Sequence, residues 1–170
     1  MIRKILLLLA LIVAFVMLAG SPTYAAPPTS GPVITLDSTT GAGLPLQEVA
    51  TDWSKNTGVT VVVAPCSGPL CITFSRPLAV CGLTIVINPP PGCAHPGVSG
   101  SCHNEIVNWI SGSLLLRVTL HEVGHCIYWF GGAGFVHLDS RNAVMNPTGD
   151  YGSGPVRLTS ADRRFAKALF

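Results

Sequence analysis

Residues 121 to 125 read His-Glu-Val-Gly-His, and this spacing carries a chemistry of its own. On an α-helix, residues four apart lie about 40° apart around the axis and roughly 6 Å apart along it, so the imidazoles of His121 and His125 can reach one metal ion. Zinc takes neutral imidazole nitrogen at about 2.0 to 2.1 Å, and a catalytic zinc site uses three protein ligands with water in the fourth position. Glu122, beside the first ligand, is placed to accept that water's proton as general base and to return it to a leaving amine. The alternative is coincidence on a solvated helix face. With 5 histidines in the chain and Glu48, Glu105 and Glu122 as its glutamates, about 0.003 such matches are expected by chance. A solvated face would also carry charge, whereas Leu114, Leu115, Leu116, Val118, Leu120, Val123 and Ile127 surround the motif. An unpaired polar cluster inside such a helix is costly to bury. Bound Zn2+ and hydrolysis of a peptide carbonyl are therefore expected.

A third ligand must come from further along the chain. No glutamate follows Glu122, which leaves His137, Asp139, Asp150 and Asp162. At His137 begins the segment HLDSRNAVMNP, and here the chain resembles the metzincin superfamily, in particular the matrixin family of zinc endopeptidases. In matrixins a third histidine opens a segment of the form H-S-x-x-x-x-A-x-M-x-P, and His137, Ala143, Met145 and Pro147 fall at the matching offsets. The resemblance implies that His137 is the third ligand and that Met145 is the methionine of the turn beneath the zinc. It also implies that Leu158-Thr159 with Asp162 opens the family's last helix. It extends over Leu46 to the C-terminus and is close only from 114 to 170. One departure stands out. The pattern HExxHxxGxxH demands Gly at 128 and His at 131, whereas this chain has Tyr128 and Gly131, so His137 arrives six residues late. Gly131, Gly132 and Gly134 would let the helix stop a turn later and the chain swing back.

Around these residues the pattern is that of a metzincin-like α+β domain: a small twisted mixed β-sheet, a zinc-binding active-site helix and a C-terminal helix. Val33 to Leu36, Val59 to Ala64, Cys71 to Phe74 and Leu83 to Ile87 are β-rich runs. Glu105 to Ile110 reads as one more short strand, and Pro89 to Cys102 as a Gly/Pro/Cys-rich loop. Leu46, Val49, Ala50 and Trp53 recur at helical spacing until Asn56-Thr57-Gly58. The site helix starts near Ser113 and ends at Gly131-Gly132. A last helix starts near Ser160, its expected N-cap. His95 and His103 read as loop histidines, with a second metal site as the alternative. Tyr151 reads as a turn tyrosine, with donation to an oxyanion as the alternative.

Composition sets the compartment. Arg3 and Lys4 precede an apolar run from Ile5 to Ala19 and the small-residue stretch ending at Ala25, which reads as a signal peptide over residues 1 to 25. That run is shorter than the roughly 20 residues of a membrane span. Residues 26 to 32 read as a flexible leader and 33 to 170 as one catalytic domain. Without the signal the formal charge is zero, since the export segment takes Arg3 and Lys4 from a balance of ten basic and eight acidic residues. Neither nucleic acid nor an anionic membrane surface is indicated as a partner. The 6 cysteines point to an oxidising, extracellular setting. Five of them lie between 66 and 102, so either one bridge leaves that stretch or one thiol stays free. The expected protein is a secreted monomer acting on proteins or peptides. The competing reading is a catalytically silent zinc-containing binding module of the same fold.

Overall fold

A computed structural model describes residues 31–78, 91–147 and 155–170. The expected signal peptide, most of the leader, the run from Leu83 to Ile87, and Asp150 with Tyr151 lie outside them. The described elements run β1 (Val33–Asp37), α1 (Leu46–Ser54), β2 (Thr60–Ala64), β3 (Cys71–Ser75), β4 (Gly92–Pro96), β5 (Cys102–Ile106), α2 (Gly112–Phe130) and α3 (Ser160–Leu169). The strands form a mixed five-stranded sheet in the order β2-β1-β3-β5-β4. All neighbours are parallel except β4, which runs antiparallel to β5. The α+β class matches the sequence pattern.

Two stretches differ from it. The loop expected over Pro89 to Cys102 contains β4, and the strand expected from Glu105 begins three residues earlier, at Cys102. Proline and glycine conceal both strands. Gly92 and Pro96 bound β4, which among the described residues lies at the edge of the sheet, where one side of the backbone needs no ladder partner.

The sheet is covered on one face. Ile34, Leu36, Ile72, Phe74, Cys102 and Ile106 are buried at alternate positions, while Val33 and Val62 on the other face are exposed. On that outer face the register sets Thr73 beside His103 and His103 opposite His95. Against the inner face, α1 buries Leu46, Val49, Ala50 and Trp53. The Trp53 indole Nε1 donates to the Leu120 carbonyl at 3.1 Å, which joins α1 to α2. The α1 segment ends where Asn56 and Gly58 take left-handed φ of 62° and 84°.

From Arg117 to Tyr128, α2 is buried on every side, the signature of a helix enclosed by its domain. The Cys102–Cys126 disulfide fastens it to β5, and Cys66–Cys71 closes the turn into β3. Cys93 is disulfide-bonded too, and no described cysteine is free. One bridge thus does leave the 66–102 stretch, through Cys126. At α3 the N-cap is Thr159 and not Ser160: the Thr159 side chain and Asp162 form a reciprocal capping box. No described helix is long and apolar enough to cross a membrane.

Candidate metal centre

The two histidines of α2 face each other. His121, 2% exposed, is hydrogen-bonded through Nδ1 to the Val144 carbonyl at 2.7 Å. A carbonyl only accepts, so Nδ1 carries the proton and Nε2 of the neutral ring is an acceptor. That Nε2 lies 3.1 Å from Nε2 of His125. Two nitrogens bound to one tetrahedral zinc are roughly 3.3 Å apart, so the pair fits a shared ion with almost no movement. Nδ1 of His125 is buried outside hydrogen-bond geometry with any described group, although the Val136 backbone still favours a proton on the ring. Burial pushes His121 down to about 4 and His125 down to about 3. Both rings are therefore neutral near pH 7, the form that binds metal.

His137 completes the group. The helix runs on to Phe130 and ends in a Schellman turn: Ala133 N–H donates to the Tyr128 carbonyl and Gly132 N–H to that of Trp129, both at 3.0 Å. Gly132 occupies the left-handed position of that turn, with φ 84°, where a side chain would be strained. The link from 131 to 136 then brings the His137 ring to 5.2 Å from His121 and 4.6 Å from His125, centroid to centroid. One nitrogen from each of the three rings lies within 4.8 Å of the others. The remaining candidates separate from them. Asp139 is no member of this cluster, Asp162 is buried beneath it, and Asp150 is not among the described residues.

The segment after His137 supports the cluster from below. Met145 is fully buried and packs on α2 at Gly124, where a β-carbon would sit 2.3 Å from the Met145 sulfur. The Val144 carbonyl orients His121, and the Met145 carbonyl accepts from Leu138 N–H at 2.8 Å, next to His137. One turn therefore positions two of the three rings. The Asp162 carboxylate fixes the turn in its place, accepting from Val144 N–H and Met145 N–H at 3.1 Å and from Thr159 N–H at 2.8 Å. The wider role of Asp162 is absent from the residue pattern, although its capping spacing from Thr159 marks it.

Glu122 lies beside the three rings in a cleft of about 250 Å³. Burial pushes its carboxyl up to about 8, so without a nearby cation it is protonated at neutral pH. Gly92–Ala94 of β4 and Phe135 also line the cleft. Gly92 and Ala94 pair with the buried Ile106 and Asn104, so they face α2. A β-carbon at Gly92 would lie 2.6 Å from the Glu122 carboxylate. Neither lining segment shows in the residue pattern, because Gly92–Ala94 lie in a Gly/Pro/Cys-rich stretch and Phe135 follows a run of glycines.

His95 and His103 stand on strands and not in a loop. They pair across β4 and β5 on the outer face, with centroids 5.2 Å apart and with Glu105 near enough to complete a second group able to hold a metal. Thr73 and Ser75 hydroxyls engage both His103 ring nitrogens, at 2.7 and 2.9 Å.

No family model matches the chain, and no curated protein matches it. Solved structures do. A chain of the GM1-bound form of the ECX AB5 holotoxin superposes with a TM-score of 0.51 over 83% of this chain and 81% of that chain, at 12% identity. At that identity the likeness is one of fold.

Proposed function

We propose that this protein is a secreted zinc-dependent endopeptidase of metzincin type, related to the matrixins, with His121, His125 and His137 as zinc ligands and Glu122 as general base. The observation that carries the reading is the pair of Nε2 atoms 3.1 Å apart, in neutral rings, with a third ring and a buried carboxyl beside them. A proton on Nε2 of His125 bridges the two atoms in the metal-free chain, and a zinc ion fits the same place with both nitrogens as ligands. Three neutral nitrogen donors suit zinc and leave one position open. The antiparallel strand β4 at the end of the sheet, the helix bearing both histidines and the methionine turn under them support the metzincin assignment. Disulfides and the signal-like start support export.

Zinc, when bound, supplies an acidified water and polarises the scissile carbonyl. The protein's own groups do the rest. Glu122, neutral in the bare site, becomes a carboxylate beside a double positive charge and takes the water's proton, then passes it to the departing amine. The His121 ring is kept in one tautomer by Val144. The edge of β4 offers backbone groups along the cleft, which suits an extended peptide.

The competing reading, a silent metal-binding module, is favoured by one observation: His137 is the exposed member of the group and hangs from a link containing Gly131, Gly132 and Gly134. Zinc content and cleavage of an unfolded protein, each with and without chelator, separate the two. Glu122→Ala is expected to retain zinc and lose at least ~100-fold in hydrolysis, and His137→Ala to lose both. Zinc with no cleavage by the wild type would establish the module. Full zinc in His137→Ala would remove the third ligand.

A further inference from the structure

We infer that Asn146 is a positioning residue for the third ligand: its side-chain amide holds the backbone next to His137 and so keeps that ring against the two on the helix. The inference rests on the reading of His137 as a zinc ligand above. His137 is the exposed member of the cluster, and the chain leading to it offers little hold. Gly132 and Gly134 take left-handed φ of 84° and 78° there. From 134 to 137 the backbone makes no hydrogen bond to other backbone among the described residues. Upstream backbone bonding ends with the Schellman turn, at Ala133, short of the ligand.

The hold comes from downstream. Leu138, the residue after His137, is gripped at both backbone groups: its N–H donates to the Met145 carbonyl at 2.8 Å, and its carbonyl accepts from Asn146 Nδ2 at 3.2 Å. These two bonds fix the peptides on either side of Leu138, one of which is shared with His137. Asn146 is 6% exposed, so its amide is shielded from competing water. The base of the clamp is fixed as well, since the Asp162 carboxylate holds the N–H groups of Val144 and Met145 just before it. The spacing that relates this segment to the matrixins leaves position 146 open, so the assignment stands on these contacts. Groups that orient a metal ligand in this way typically alter metal affinity by roughly tenfold to a hundredfold.

The test measures the zinc affinity of the full-length protein by competition with a chromophoric chelator. Asn146→Ala and Asn146→Leu both remove the donor, the second at similar volume. Each is expected to bind zinc on the order of tenfold more weakly than wild type. In a His137→Ala background, which already lacks the third ligand, the same substitutions should change zinc affinity by less than about twofold. Urea unfolding of the chelated protein should record the same loss of stability in both backgrounds. A merely supporting role for Asn146 would weaken zinc binding equally with and without His137, so the double-mutant comparison separates the two. Wild-type zinc affinity in both Asn146 variants, or an equal loss in both backgrounds, overturns this inference alone. Zinc affinity undiminished in His137→Ala, or no zinc binding by the wild type, overturns the metal-centre reading and this inference with it.

Discussion

With any metal removed by a chelator, the protein is expected to be most stable near pH 6.5 and to lose about 1 kcal/mol between there and pH 8. Glu122 causes the alkaline fall. Its carboxyl titrates at about 8 in the folded chain against an ordinary 4.5, so over this range the folded state keeps a proton that the unfolded state has released. Stability conferred by Glu122 is therefore complete below 4.5 and is lost as pH rises through 8, at about 1.4 kcal/mol per unit. His121 and His125 act in the opposite sense. They titrate at 6.5 when unfolded and at about 4 and about 3 when folded, so their contribution is complete above 6.5 and fades as pH falls. Two histidines outweigh one carboxyl below 6.5, and burial pushes His103 and His137 down as well, which steepens that acid limb. Above 6.5 the histidine contribution tails off within about one pH unit and Glu122 dominates.

Urea midpoints of the chelated protein at constant m-value, taken in half-unit steps from about pH 5 to about pH 8.5, read this directly. Glu122→Gln should abolish the alkaline fall and leave the acid limb. Zinc should abolish it too, since a double positive charge beside Glu122 favours the carboxylate. A flat profile between 6.5 and 8, or an alkaline fall that survives in Glu122→Gln, would refute the burial argument.

Two further substitutions probe the support beneath the metal site. Asp162→Ala strands the buried Val144 and Met145 N–H groups along with two Thr159 donors. It is expected to destabilise by about 3 kcal/mol or more and, by loosening the turn that orients His121, to weaken zinc binding at least ~tenfold; denaturant unfolding and zinc titration check both. Gly124→Ala would gain about 1 kcal/mol of helix propensity, but its β-carbon would lie 2.3 Å from the Met145 sulfur and 2.7 Å from the Trp53 ring. Overpacking of about 1–3 kcal/mol should win. A raised melting temperature would show that Met145 and Trp53 can yield.

Elements with a strong period were legible in the residue pattern, and those whose shape depends on distant partners were not. Strand β1 and helices α1 and α2 follow from apolar residues at spacing two or near four, punctuated by Asn56, Gly58 and Gly131. Strand β4 has no such period: Gly92, Cys93, Ala94, His95 and Pro96 hold their place through pairing with β5. The N-cap of α3 moved by one residue because Ser160 and Thr159 are equally good caps locally, and Asp162 three positions beyond Thr159 decides between them. The three clustered histidines were the most legible part of the molecule, since two of them share one helical turn. The cleft walls were hidden, because each depends on where a separate segment comes to rest.

The late arrival of His137 shows how spacing and geometry are reconciled. A glycine at 128 would stop the helix three residues past His125, about 4.5 Å beyond the ligand. Tyr128 instead continues it, because its ring is enclosed between Trp53 at 5.9 Å and Phe165 at 4.7 Å, a contact available only to a residue still on the helix. The helix therefore travels to Phe130, two residues beyond that point. That extra length must be retraced before the chain can bring His137 back to the helix, so the third histidine comes later in the sequence. Left-handed glycines at 132 and 134 make the reversal sterically free. The extra length is a detour around a buried tyrosine, and Trp129 and Phe135, stacked at 5.9 Å, stand on its outward and returning arms.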